Sequence, residues 1–273
     1  MGWKQEILVV IGSLALTFFK AGLTNPQEMG NFLERVWVGH QVGMVVTRWK
    51  KTGTCAQGAG RMSEVEILLK RALDLQTAAF GPDDLGVADI LKLLGGCLQD
   101  AGRLREVEEW YKRALDIETT KLGPDDLSVA HTLVMLGTCV GLVGNQERVG
   151  EMEEFLKRAL DIQTTKLGPD DLSVAYTLRM LSVCALQAGG RRHWEAEWLL
   201  KRALDIETTK LGSNDVRVAR TLGVLGMCVC TAGGRVGEAE ELLKRALDIQ
   251  MAKLGQHDIQ VGHTLEMLNK CRE

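Results

Sequence analysis

The residues best equipped for nucleophilic, acid–base or metal chemistry are five histidines and seven cysteines, and their spacing argues against all three. His40, His131, His193, His257 and His263 are scattered, and none belongs to H-E-x-x-H or another metal-ligand spacing. Cys55, Cys97, Cys139, Cys184, Cys228 and Cys271 recur 42 to 45 residues apart. A repeating unit of that length strings them out one per unit, too far apart to share a bond or a metal, as buried small apolar side chains. Cys230 makes a C-x-C with Cys228, which alone is a weak metal signal. G-x-S-x-G is absent, and no dinucleotide-type G-x-G-x-x-G follows a strand. The sequence therefore reads as that of a protein that is not an enzyme and that takes no cofactor and no metal.

Binding chemistry is a better match. Compared with one another, the units vary most on one side of a first helix. Its second position reads Thr47, Asp89, His131, Tyr176, Arg220 and His263; three along come Lys50, Lys92, Val134, Arg179, Gly223 and Glu266. Four further on stand Thr54, Gly96, Thr138, Val183, Met227 and Lys270. Residues three and four apart share a helix side, so these positions line one face. The candidate set is Lys50, Asp89, Lys92, His131, Val134, Met135, Tyr176, Arg179, Met180, Arg220, Met227, His263 and Glu266. Arg179 and Arg220 would clamp a carboxylate, Tyr176 and His131 offer flat faces, and the methionines repack on varied partners. The competing reading is that positions without core contacts drift freely.

The elements that present this face follow from self-similarity. Arg-Ala-Leu-Asp recurs at Arg71, Arg113, Arg158, Arg202 and Arg245. Gly-x-x-Asp recurs from Gly81, Gly123, Gly168, Gly212 and Gly255. Each such loop joins two apolar-periodic runs, with Gly taking φ > 0 past one helix and Asp capping the next, so it is turn chemistry and not a phosphate or calcium site. Val129 to Gly141 exemplifies the first helix of a unit, helix A, with Leu133, Leu136, Cys139 and Val140 at helical spacing. Glu106 to Lys121 exemplifies the second, helix B, with Val107, Tyr111, Ala114, Leu115 and Ile117. Its i, i+4 pairs, Glu108 with Lys112, Glu153 with Lys157 and Glu240 with Lys244, read as solvated surface worth about 0.3 kcal/mol each. No strand alternation appears, so the expected fold is all-α. A two-helix unit buries its faces only by stacking on its neighbours.

Composition agrees. Apolar residues make up 45% of the chain, formal net charge is −3, and mean hydropathy is −0.02. Nothing in that charge attracts nucleic acid, and membrane binding is not expected. Regular unpaired cysteines point to a reducing, cytoplasmic setting. Ile7 to Phe19 is apolar but shorter than a membrane span; it fits a degenerate repeat, a signal or anchor segment, or unrelated sequence. At the other end Leu265 and Leu268 are expected to lack a facing helix, which would leave an open end for self-association or for docking on the rest of a larger protein.

The run from Gly102-Arg103 through Arg113-Ala114-Leu115-Asp116-Ile117 and Leu122-Gly123-Pro124-Asp125-Asp126 to Val129-Ala130 resembles the tetratricopeptide (TPR) repeats of kinesin light chains and nephrocystin-3-like proteins. Small residues fall at the family's contact points: Gly95, Gly137, Ser182 and Gly226 in helix A, and Ala114, Ala159, Ala203 and Ala246 in helix B. The resemblance implies a right-handed superhelical α-solenoid of tandem helix-turn-helix repeats. Residues 1–44 would form a degenerate N-terminal repeat or leader, and residues 45–273 a TPR array of about five full repeats plus a truncated C-terminal one. It also implies a scaffold or adaptor that binds an extended peptide or helix of a partner protein on the concave helix-A face. The alternative is a structural or oligomerising segment, or the sensor part of a receptor-like protein. The family's paired cargo-gripping Asn residues are absent, with Val134-Met135 and Arg179-Met180 among the replacements, so only the general groove carries over. A G-x-x-x-x-G-K-[ST] nucleotide-binding loop is likewise absent.

Overall fold

A computed structural model describes residues 59–100, 102–143, 146–188 and 192–272. The chain divides into two compact units, residues 1–103 and 104–273. The first contains α1 (Ala59–Phe80) and α2 (Leu85–Asp100). The second contains α3 (Leu104–Leu122), α4 (Leu127–Leu142), α5 (Val149–Leu167), α6 (Leu172–Gln187), α7 (His193–Leu211), α8 (Val216–Ala232), α9 (Val236–Leu254) and α10 (Ile259–Arg272). Among the described residues there is no strand. The even-numbered helices are the A helices and the odd-numbered ones the B helices. The fold is the expected all-α solenoid of tandem helix-turn-helix repeats. The 1–44 boundary and Lys50 lie outside the described residues.

The turns form as their sequence dictates. Gly168 closes α5 at φ 89 and ψ 163, where only a residue lacking Cβ sits without strain, and its N–H bonds to the Thr164 carbonyl. Three residues on, Asp171 Oδ1 accepts from the Ser173 N–H at 2.8 Å and caps α6. Asp126 and Asp215 cap α4 and α8 in the same way.

Packing between helices explains the recurring small residues. Gly226 lies against α9, where an added Cβ would sit 2.7 Å from Leu243 Cγ and 3.3 Å from the Ala239 carbonyl. Ala159, Ala203 and Ala246 are fully buried. Helix A is sandwiched: α6 buries Ala175, Leu178 and Leu181 together with Thr177, Arg179 and Ser182, leaving little solvated surface beyond Tyr176. That is why the A helices read apolar almost all round.

Two hydrogen-bonded ladders join the repeats. Inside, a helix-A threonine donates to a helix-B acid or amide: Thr132 to Glu118 at 2.6 Å, Thr177 to Gln163 at 2.7 Å and Thr221 to Glu207 at 2.7 Å. Outside, an arginine before each helix B forks onto a glutamate of the preceding helix B. Arg148 reaches both oxygens of Glu108 at 2.8 and 2.7 Å, and Arg192 both oxygens of Glu153 at 2.9 Å. Arg235 forks onto Glu197, and Arg272, at the end of α10, onto Glu240 in the same way. In the first unit Arg103 does the same with Glu66. Each glutamate also holds the i+4 lysine; Lys112, for example, lies 2.7 Å from Glu108. These glutamates are thus hubs between repeats rather than solvated surface charges, and the Glu108 side chain is only 13% exposed. Hydrogen bonds from Arg148, Arg192 and Arg235 are the main cause that pulls Glu108, Glu153 and Glu197 down to about 2.

The cysteines follow a third regularity. Cys139, Cys184 and Cys228 are buried, and their thiols donate to the carbonyls of Leu104, Val149 and His193, the first residues of the preceding B helices. Burial pushes these thiols up to about 11. Cys230 and Cys271 depart from the expected isolation: both pack in one apolar cluster between α8 and α10, and the neighbouring Cys230 helps to raise the Cys271 thiol. The other C-terminal expectation is met by half. Leu268 is 6% exposed, packed in a cluster with Leu225 and Leu243, whereas Leu265 is 42% exposed.

Candidate functional site

Within residues 104–273 the variable helix-A positions separate into exposed and sealed ones. His131, Tyr176, Arg220, His263 and Glu266 are exposed, and Met135, Met180 and Met227 are half-buried. Val134 is 4% exposed and belongs to the central apolar cluster, so it offers no surface to a ligand. Glu266 pairs with Lys270 at 2.7 Å, and Arg220 Nε donates to Gln260 Oε1 at 2.8 Å, linking α8 to α10. In the first unit Lys92 is half-buried and its Nζ lies 2.9 Å from Oδ1 of the exposed Asp89.

Arg179 stands apart. It is 8% exposed, and its Nε is buried with no hydrogen-bond partner. Its guanidinium lies over the Tyr176 ring, 5.0 Å from the centroid, a cation–π contact one turn back along α6. Burial pulls its pKa down, and Arg220 adds repulsion, while Glu207 and Tyr176 oppose the shift. Glu207 sits on α7, 3% exposed, with one oxygen taken by Thr221. Burial pushes Glu207 up against the Thr221 hydrogen bond and the Arg179 charge. Among the described residues the two charges do not reach ion-pair distance, so the guanidinium keeps unmet donor capacity beside a second arginine. Such a group favours an incoming carboxylate, which a planar fork receives in two parallel bonds.

Sequence reading named Arg179, Arg220 and Tyr176 as candidates and did not name Glu207. The signal was present as a departure between repeats. The Arg179 and Glu207 positions read Val134 and Gln163 in the preceding repeat, and Gly223 and Gln250 in the following one. Glu118 on α3 is the other helix-B acid at this position, and it too accepts from a helix-A threonine. Elsewhere chemistry is sparse: among the described residues no group of three His, Cys, Asp or Glu side chains could hold a metal ion.

Comparison with known proteins agrees with this architecture. Residues 50–120 match the tetratricopeptide repeat family model. Among solved structures, BtubC (BKLC) from P. vanneervenii is 22% identical, with a TM-score of 0.64 over 91% of this chain and 92% of that one. A kinesin-light-chain-type protein of Podosopora anserina with nearly identical TPR-like repeats is 20% identical, with a TM-score of 0.62 over 81% of this chain and 97% of that one. No curated protein matches the chain by sequence. The chain therefore has the α-solenoid fold of kinesin-light-chain-type proteins, with a tetratricopeptide-repeat match over residues 50–120. Among the described residues no helix is long and apolar enough to cross a membrane.

Proposed function

We propose that the chain is an adaptor whose helix-A face, the concave side of the array, takes an extended acidic segment of a partner protein. The observation that carries this reading is Arg179, a buried guanidinium with an unpartnered Nε beside Tyr176 and Arg220. Keeping such a group costs stability in the free protein unless something repays its desolvation. A carboxylate arriving between Arg179 and Arg220 does so, while the half-buried Met135, Met180 and Met227 receive neighbouring side chains and His131 and His263 flank the track. In the first unit Asp89 and Lys92 occupy equivalent positions. The cytosol, where isolated buried thiols such as Cys139 and Cys184 stay reduced, is the compartment that suits this role.

An array of extended peptides graded in charge tests the reading. Acidic members should bind the purified chain at low salt and weaken as salt rises. R179E/R220E should lose about tenfold to a hundredfold in affinity for them. Equal binding of acidic, neutral and basic peptides would refute it. A second reading, self-association through α10, draws on the exposed Ile259 and Leu265. Molar mass that rises with concentration in light scattering and falls back in I259E/L265E would establish it.

A further inference from the structure

We propose that Cys230 and Cys271 form a dithiol that closes reversibly to a disulfide and pins α10 to α8. In α4, α6 and α8 the thiol at the Cys139, Cys184 and Cys228 position is committed to a backbone carbonyl one B helix back. In α10 the equivalent Cys271 makes no such bond and shares an apolar cluster with a second thiol, that of Cys230. Cys230 is a departure from the repeat, standing where α2, α4 and α6 have Gln99, Gly141 and Leu186. Both residues pack in one apolar cluster with Leu225, Leu243 and Leu268, on helices in direct contact. Cys271 is 5% exposed and Cys230 is half-buried, so a reagent reaches Cys230 first.

The oxidant is a low-molecular-weight disulfide of the glutathione class. The Cys230 thiolate attacks one of its sulfurs, an S–S bond breaks, and one small thiolate leaves. Cys271 gives up its proton to water and attacks Cys230 Sγ in the mixed disulfide, expelling the second small thiolate. The protein loses two electrons and two protons, and the small disulfide becomes two thiols. Burial, and after it the neighbouring Cys230, push the Cys271 thiol above its ordinary range, so closure quickens as pH rises. Once closed, the bond holds the helix that presents Gln260 to Arg220 and thereby secures one end of the helix-A face.

The full chain is equilibrated in mixtures of oxidised and reduced glutathione, blocked with an alkylating agent, cleaved after glutamate and mapped by mass. The expected product is a single Cys230–Cys271 link that persists in C228S and is lost in C230S, with amide exchange across α10 slowed at least about tenfold. Stable glutathione adducts without the link, a link to Cys228 or between chains, or thiols that all remain alkylated would each overturn the proposal. Because C230S alters a half-buried position, its unchanged thermal melt under reducing conditions separates loss of the link from loss of the fold.

Discussion

Arg179 and Glu207 are both buried, at 8% and 3% exposure, in a repeat whose neighbours in the second unit place apolar or neutral residues at the same two positions. Replacing Arg179 with Met keeps the length of the side chain and removes the orphan Nε. Replacing Glu207 with Gln copies Gln163, which accepts from Thr177 at 2.7 Å much as Glu207 does from Thr221. An unsatisfied buried donor costs about 1–3 kcal/mol, and exchanging a buried charged pair for neutral residues of similar volume stabilises by about 1–4 kcal/mol. Against this stands the contact with Tyr176, worth about 1 kcal/mol. R179M/E207Q should therefore be more stable than the parent chain by about 1–2 kcal/mol, while each single change strands one charge and gains less. Because neighbouring repeats couple, urea unfolding is read with a nearest-neighbour fit, and the double-mutant cycle should return a coupling of about 1 kcal/mol. The pH dependence supplies a control. The folded Glu207 pKa is raised, so its stabilising contribution is present below the ordinary carboxylate range and is lost as pH rises through the raised value. E207Q should flatten that slope. A double variant less stable than the parent, or single effects that simply add, would refute the reasoning.

Acid unfolding should follow the Arg–Glu forks. Glu108, Glu153 and Glu197 have depressed folded pKa values, so their contribution is present above the ordinary glutamate range and drains away between about pH 4.5 and 2; circular dichroism across that window should show E153Q less pH-sensitive than the parent. At pH 7, R192A should cost about 1–3 kcal/mol by urea unfolding, more than an exposed pair would, because the Glu153 side chain it serves is only 18% exposed. D171A should cost about 1 kcal/mol, with amide exchange rising first in the opening turn of α6. G226A should lower the unfolding midpoint by an amount equal to about 1–2 kcal/mol, since its methyl meets Leu243 Cγ and the Ala239 carbonyl; an unchanged midpoint would show that α8 and α9 can separate.

The fold was legible because one short pattern recurs. Gly168 and Asp171 each do a single local job, and local backbone chemistry is what a sequence displays. The Arg148–Glu108 fork was not legible, since its partners lie a whole repeat apart and the nearer Lys112 already accounted for the glutamate. Arg179 could be placed on the variable side of helix A, but its burial could not, because Val134 and Tyr176 lie on the same side and differ in exposure. Cys230 appeared only as half of a C-x-C, and its nearness to Cys271 depends on how α10 lies across α8. Exposure and contact between distant elements are set by stacking, which periodicity alone does not encode.

The most direct test is a hydrogen-exchange footprint of the chain with and without a bound acidic peptide from the graded array, in the parent and in R179M/R220E. The account predicts protection concentrated in α4, α6 and α8, absent in the double variant although its melt shows an intact fold. Protection confined to the B helices α5, α7 and α9, or a footprint unchanged in R179M/R220E, would contradict it.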